Sequence, residues 1–212
     1  MGGCHHYPSA CWRLYKSFDP VEAMSRARLA SIAARDVRGV RRITPRVHEV
    51  RTRRIAFRIL ENNVLCSMAT VIEDNRAHIN TAYFCYSDEL EVYFLSHPGS
   101  LHCRNLSKNP SMGIAIFSWS QRWAGPDRGL QLIGACPQAR GQQATRAERL
   151  YAKRFRSYAR WRSSLKRTDA AREYRFYRFV CGRLKILDEA EFGDAVFVSA
   201  TVRRARTSGR SR

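Results

Sequence analysis

Residues 91–119 read EVYFLSHPGSLHCRNLSKNPSMGIAIFSW, and this stretch decides how the rest of the chain is read. Its opening alternates apolar side chains up to Ser96, as a half-buried strand does. Pro98-Gly99-Ser100 then breaks the strand and opens a short helix, which Asn109-Pro110 closes. SMGIAIFSW, residues 111–119, returns as a strand. A helix start of this kind presents free N–H groups and a partial positive charge, so it suits an anion such as a phosphate. Ser96 and Ser100 add hydroxyl donors, and His102 and Arg104 can add positive charge. The same residues also fit a helix that Ser100 merely caps, with Arg104 solvated. The pattern alone leaves both readings open.

Outward from this segment the chain is rich in short β runs. RRIAFRILENN (53–63) places Ile55, Ile59 and Leu60 on one helical face. VLCSMATVI (64–72), AHINTAYFCY (77–86) and LEVYFLS (90–96) read as three strands joined by the turns 73–76 and 87–89, an antiparallel meander. GLQLIGACPQ (129–138) is a fifth strand and YRFYRFVCGRLKIL (174–187) a sixth. Between them lies an amphipathic helix at 144–158, followed by a polar helix end and loop. Strands at such short spacing predict a mainly β (α+β) fold, a six-stranded antiparallel barrel with short helices.

The 212 residues carry a formal net charge of +20, unevenly spread. Residues 1–54 hold twelve Lys/Arg against four Asp/Glu, and residues 201–212 hold five Arg and no acid. This predicts a basic, partly disordered extension over 1–54, one domain over 55–199, and a basic disordered tail over 200–212. Residues 20–40 read as a marginal helix with little apolar surface to bury. The seven cysteines form no CxxC pair, and Cys66, Cys85, Cys103 and Cys181 sit in apolar or mixed runs, as reduced core thiols do. With neither a secretory leader nor a membrane-length apolar run, the expected location is the cytoplasm. Met24 offers an alternative start. Cys4, His5, His6 and Cys11 are ligand types, but no second pair follows to close a zinc site, so no metal site is assigned.

The order strand, Ser96, Ser100-anchored helix, Asn109-Pro110, then IAIFSW ending at Trp119 resembles the flavin-binding split-barrel family typified by pyridoxamine 5′-phosphate oxidase. The preceding strand pair, the strand around Gly134 and the helix RAERLYAKRF resemble the family's other elements, so the likeness spans about residues 55–195. It implies FMN as cofactor. Asn80 and Thr81 would lie along its ring and ribityl chain, and Ser96, Ser100, His102, Arg104 and Asn105 near its phosphate. It also implies a homodimer with a cofactor cleft at each side of the interface, where Trp119 and Gln131 approach the partner's flavin. The oxidase proper differs: its second-strand Arg and Lys fall at Asn80 and Cys85 here, and its Arg-Lys after the helix serine at Leu101-His102. The C-terminal Arg-x-His element is absent. The resemblance is therefore to an uncharacterised bacterial branch, whose members are associated with FMN, a deazaflavin or haem, and the implied activity is a flavin-dependent oxidoreductase acting on a small molecule.

A nucleic-acid-binding protein is the alternative from another class. KRFRSYARWR and REYRFYRF interleave Arg with aromatics, as stacking platforms with phosphate contacts do. The same alternation fits an amphipathic helix and a barrel strand with buried aromatics. No nucleophile elbow, Walker loop or Rossmann glycine pattern occurs, and His78 has no evident nucleophile beside it, so no catalytic side chain is assigned.

Overall fold

The computed structural model describes residues 27–42, 47–118 and 120–204. Six strands close into an antiparallel barrel in the order β3 (Leu65–Val71), β4 (Ala77–Tyr86), β5 (Glu91–Ser96), β8 (Arg175–Asp188), β7 (Arg128–Ala135) and β6 (Ser111–Phe117), which pairs back onto β3. These are the six strands expected from the sequence. Their alternation sends one face inward, and Met68, Phe84, Phe94, Ile114, Leu132 and Phe179 fill the interior. Helix α1 (Glu49–Asn62) adds Ile55, Ile59 and Leu60 to the same core.

The barrel depends on glycine where β7 and β8 cross most tightly. Gly134 lies beside a bulge that skips Gly182, and a Cβ at Gly134 would stand 2.1 Å from the carbonyl oxygen of Val180. No side chain fits there. On the outside, α3 (Gln142–Arg154) and α4 (Tyr158–Ser164) cover Cys85, Tyr93 and Phe176 with Ala147, Tyr151 and Tyr158. Helix α2 (Leu101–Lys108) lies against β3 and β4. A short helix, α5 (Glu189–Phe192), follows β8, and its Glu191 joins buried Asp188 in ion pairs with Arg58.

The packed structure reaches beyond the 55–199 expected for the domain. Residues 27–35, part of the stretch expected as a marginal helix, form strand β1 (Ala27–Arg35), which pairs with β9 (Phe197–Arg204) and with the two-residue β2 (Arg41–Arg42). β9 in turn pairs with β8, so these strands extend the barrel sheet on one side. A bulge explains why β1 does not read as a strand. Ala27 and Leu29 are buried before it and Ala34 after it, while Ser31 sits at φ 52. The extra residue switches the inward parity and erases the period of two. The boundary expected at Ile55 falls inside α1, and that at Ser199 inside β9. The helix expected over 144–158 breaks after Arg154 and resumes as α4. The rest of the basic ends, residues 1–26 and 205–212, with the cysteine-histidine cluster and Met24, lies outside the described residues. Among the described residues no helix is long and apolar enough to cross a membrane.

Candidate functional site

The strand β5 delivers Ser96 to the edge of the barrel on the same face as Val92 and Phe94. The chain then turns through Pro98-Gly99, where the amide of Gly99 donates to Nδ1 of His97 at 3.0 Å. Ser100 occupies the N-cap of α2 with extended backbone angles, yet its hydroxyl caps nothing. It lies 3.3 Å from Ser96 Oγ and 3.1 Å from His102 Nε2, which is itself 2.8 Å from Ser96 Oγ. The first α2 amide to bond within the helix is that of Arg104, which donates to the Ser100 carbonyl. The amides of Leu101, His102 and Cys103 precede it at the orphan end. Burial pushes the His102 pKa below its ordinary 6.5, and nearby His78 pushes it the same way, so this ring is neutral at pH 7.

Arg104 stands on the exposed side of α2 and its Nη1 donates to the Gly99 carbonyl at 2.7 Å, bracing the turn. Asn105 is buried and its Nδ2 donates to Thr70 Oγ1 at 3.0 Å, which ties α2 to β3. Thr70 pairs with His78 on β4, and Asn80 follows two residues along the same interior face. Thr81 therefore points to the opposite, outer face, so Asn80 and Thr81 do not line one wall. On that outer face Thr81, Ser67, Ala115 and Gln131 form a row across β4, β3, β6 and β7. Three strand spacings put Gln131 about 14 Å from Thr81. Gln131 instead lines a cleft of about 250 Å³ with Phe117, Arg128, Lys185 and Phe197. Trp119 lies outside the described residues.

Thus Ser96, Ser100 and His102 come together, with Asn105 and Arg104 on the same helix. Asn80 shares the interior face of β4 with His78, but its side chain donates to the Thr81 carbonyl rather than to the cluster, and Thr81 and Gln131 occupy the outer face. Sequence reasoning missed two neighbours of the cluster. Thr70 anchors Asn105, and Arg175, the first residue of β8, lies directly across from Ser96 in the ladder. Neither carries a local signal, because the pairing of β5 with β8 joins segments far apart in the chain. A second hollow, about 540 Å³, separates the exposed side of α2 from the turn after β3 and is lined by Arg76, Leu101, Arg104 and Lys108 among others.

A closed six-stranded antiparallel barrel with sheet extensions and a helix opening beside one strand end defines a split-barrel protein. The chain belongs to the pyridoxamine 5′-phosphate oxidase family, whose sequence model matches residues 56–206. No curated protein matches in sequence. Among solved structures it is similar to a protein of unknown function from Agrobacterium tumefaciens (TM-score 0.53, 19% identity, covering 68% of this chain and 58% of that one). It is similar as well to a haem-binding protein from Mycobacterium smegmatis (TM-score 0.55, 14% identity, 70% and 56%). A FAD-binding protein from Mesorhizobium loti aligns over 81% of this chain and 99% of its own, at TM-score 0.48 and 10% identity. The chain thus spans less than three fifths of the first two relatives.

Proposed function

We propose that this protein binds a phosphate-bearing flavin, FMN or a deazaflavin relative, and serves as a flavin-dependent oxidoreductase on a small molecule. The observation that supports this most is Ser100, an N-cap serine whose hydroxyl is turned away from the helix amides toward Ser96 and His102. A capping role would use that hydroxyl on the helix; here the amides of the first turn are left for another acceptor. Two hydroxyls, three amides and a neutral imidazole make a donor set that fits a phosphate. A haem propionate would also accept from these hydroxyls, but donors converging on one helix start match the compact, multi-oxygen phosphate more fully, and this supports the flavin over the haem that a structural neighbour binds.

Ser96, Ser100, His102 and the α2 amides would hold the phosphate, with Arg104 on its exposed side and Asn105 fixing the helix through Thr70. Asn80 would approach the cofactor from β4. Thr81 and Gln131, with Trp119, would meet it at a homodimer cleft, because the outer face of β4, β3, β6 and β7 is an open apolar surface. Ile79 and Ile133, 69% and 49% exposed, stand on one row of it with Ala69 and Gly113. When bound, a flavin supplies two-electron redox chemistry, while the protein contributes binding, orientation and exclusion of water. No side chain is assigned a catalytic role.

Titration of purified protein with FMN, followed by flavin fluorescence, tests the reading. Saturable quenching is expected, and a Ser96→Ala/Ser100→Ala double variant should weaken affinity at least about tenfold, roughly 1.4 kcal/mol. Equal affinity in the variant would remove the phosphate assignment. Purified protein carrying a haem Soret band and ignoring FMN would remove the flavin.

A further inference from the structure

The segment between β7 and β8 carries charge that the fold does not use. Residues 140–175 contain twelve Lys/Arg and three Asp/Glu. All three acids are already engaged: Glu148 accepts from the Tyr158 hydroxyl, Asp169 from the Lys166 amide, and Glu173 lies 3.1 Å from His97. Among the cations, Arg146 pairs with Asp88 and Glu89, and Arg154, Arg162, Arg172 and Arg175 donate to backbone carbonyls. That leaves Arg140, Arg149, Lys153, Arg156, Arg160, Lys166 and Arg167 exposed, with no ion pair among the described residues. Arg149 and Lys153 even stand one helical turn apart on α3, a like-charge spacing that destabilises an isolated helix. Nothing in the barrel requires this concentration.

The apolar side of the same helices is fully employed. Ala147 is buried, Tyr151 meets Phe176 edge-on at 5.5 Å, and Tyr158 is buried beside them. An anionic membrane surface is engaged by an amphipathic helix through a free apolar face, and here that face is already covered by the barrel. A phosphodiester backbone needs only the charge. Of the aromatics interleaved with Arg, Phe155, Tyr158, Phe176 and Tyr177 pack inward. Trp161 is 37% exposed, against Tyr158 and Tyr174.

We propose that the exposed face of α3, the turn after it and α4 binds single-stranded nucleic acid through its phosphate backbone, without reading bases. Five of the seven free cations are Arg, whose planar fork suits phosphate oxygens. Trp161 supplies one stacking surface at the edge of the patch.

The test is fluorescence anisotropy of the full chain with a labelled mixed-sequence RNA of about 20 nucleotides and its DNA counterpart, from about 50 to 200 mM KCl. Both should bind, with affinity falling steeply as salt rises. R149Q/K153Q/R156Q/R160Q should weaken binding at least about tenfold and flatten the log–log salt slope by about 3. R38Q/R41Q/R54Q/R203Q removes the same charge from exposed sites elsewhere and should change affinity by less than about twofold. Equal weakening by both sets would overturn the proposal, because binding would then be a diffuse property of a basic chain. So would wild-type protein that binds phosphatidylserine vesicles and neither nucleic acid.

Discussion

At Ser100 the backbone takes the extended geometry of an N-cap while the side chain serves a different cluster, and His102 is the residue that records this choice. Its ring is buried against two hydroxyls and its pKa is depressed, first by burial and then by His78. An unfolded chain takes up a proton at this position near pH 6.5, and the folded one refuses it until lower pH. The His102 contribution to stability is therefore fully present above about pH 6.5 and is lost as pH falls toward the folded value. Urea unfolding measured from pH 7.5 down to 5 should show this loss, and His102→Asn should show a shallower slope. An unchanged slope would mean that the ring is protonated in place. Gly134 makes a second prediction at this scale. Since its missing Cβ would stand 2.1 Å from a backbone oxygen, Gly134→Ala forces β7 and β8 apart. The expected loss is about 3 kcal/mol, read as a lower urea midpoint.

Among the helices, α1 has no basic residue in its last turn, and α3 supplies one instead. Arg154, the last residue of α3, donates to the carbonyls of Leu60, Glu61 and Asn63 while its guanidinium lies 5.0 Å over the rings of Phe84 and Tyr86. One side chain thus closes the end of a helix formed ninety residues earlier and packs on the barrel wall. Arg154→Ala should lower stability by about 2 kcal/mol, and Arg154→Lys should recover only part of it, because an ammonium cannot reach several carbonyls at once. Thermal unfolding of the three proteins side by side decides this. The elements differ in how readable they were. β3 through β8 and α2 show in the sequence because alternation, Pro98, Asn109-Pro110 and the turns are all local signals. β9 does not read as a strand, although Val198, Ala200 and Val202 alternate inward, because the arginines around it look like a tail. β1 was hidden by its bulge. In the candidate site, Ser96, Ser100, His102 and Asn105 were legible because one short segment carries them. Thr70 and Arg175 reach it only by strand pairing, and the opposite facing of Asn80 and Thr81 follows from a register that the sequence alone does not set.

For the molecule as a whole, the open outer face of β4, β3, β6 and β7 calls for a covering partner, and the proposed cofactor cleft calls for the same partner. The two expectations are linked and can be broken together. Ile79→Lys places a charge on the exposed row shared with Ala69, Gly113 and Ile133, away from the barrel interior. Sedimentation should find a dimer in the wild type and a monomer in the variant, with FMN affinity falling along with assembly. A monomeric wild type that still retains flavin would separate the two. β8 bears on the same scale. Its fourteen residues pair with β5 at one end, with β9 at the other and with β7 along most of its length, so one continuous backbone is a member of both the barrel and the outer sheet. A shared beam of this kind leaves no seam along which the two halves can part. Slowly exchanging amides should therefore run without a step from β5 through β8 into β9. A chain cut back so that β1 is removed would lose protection in β9 first and, through it, at the barrel's own wall.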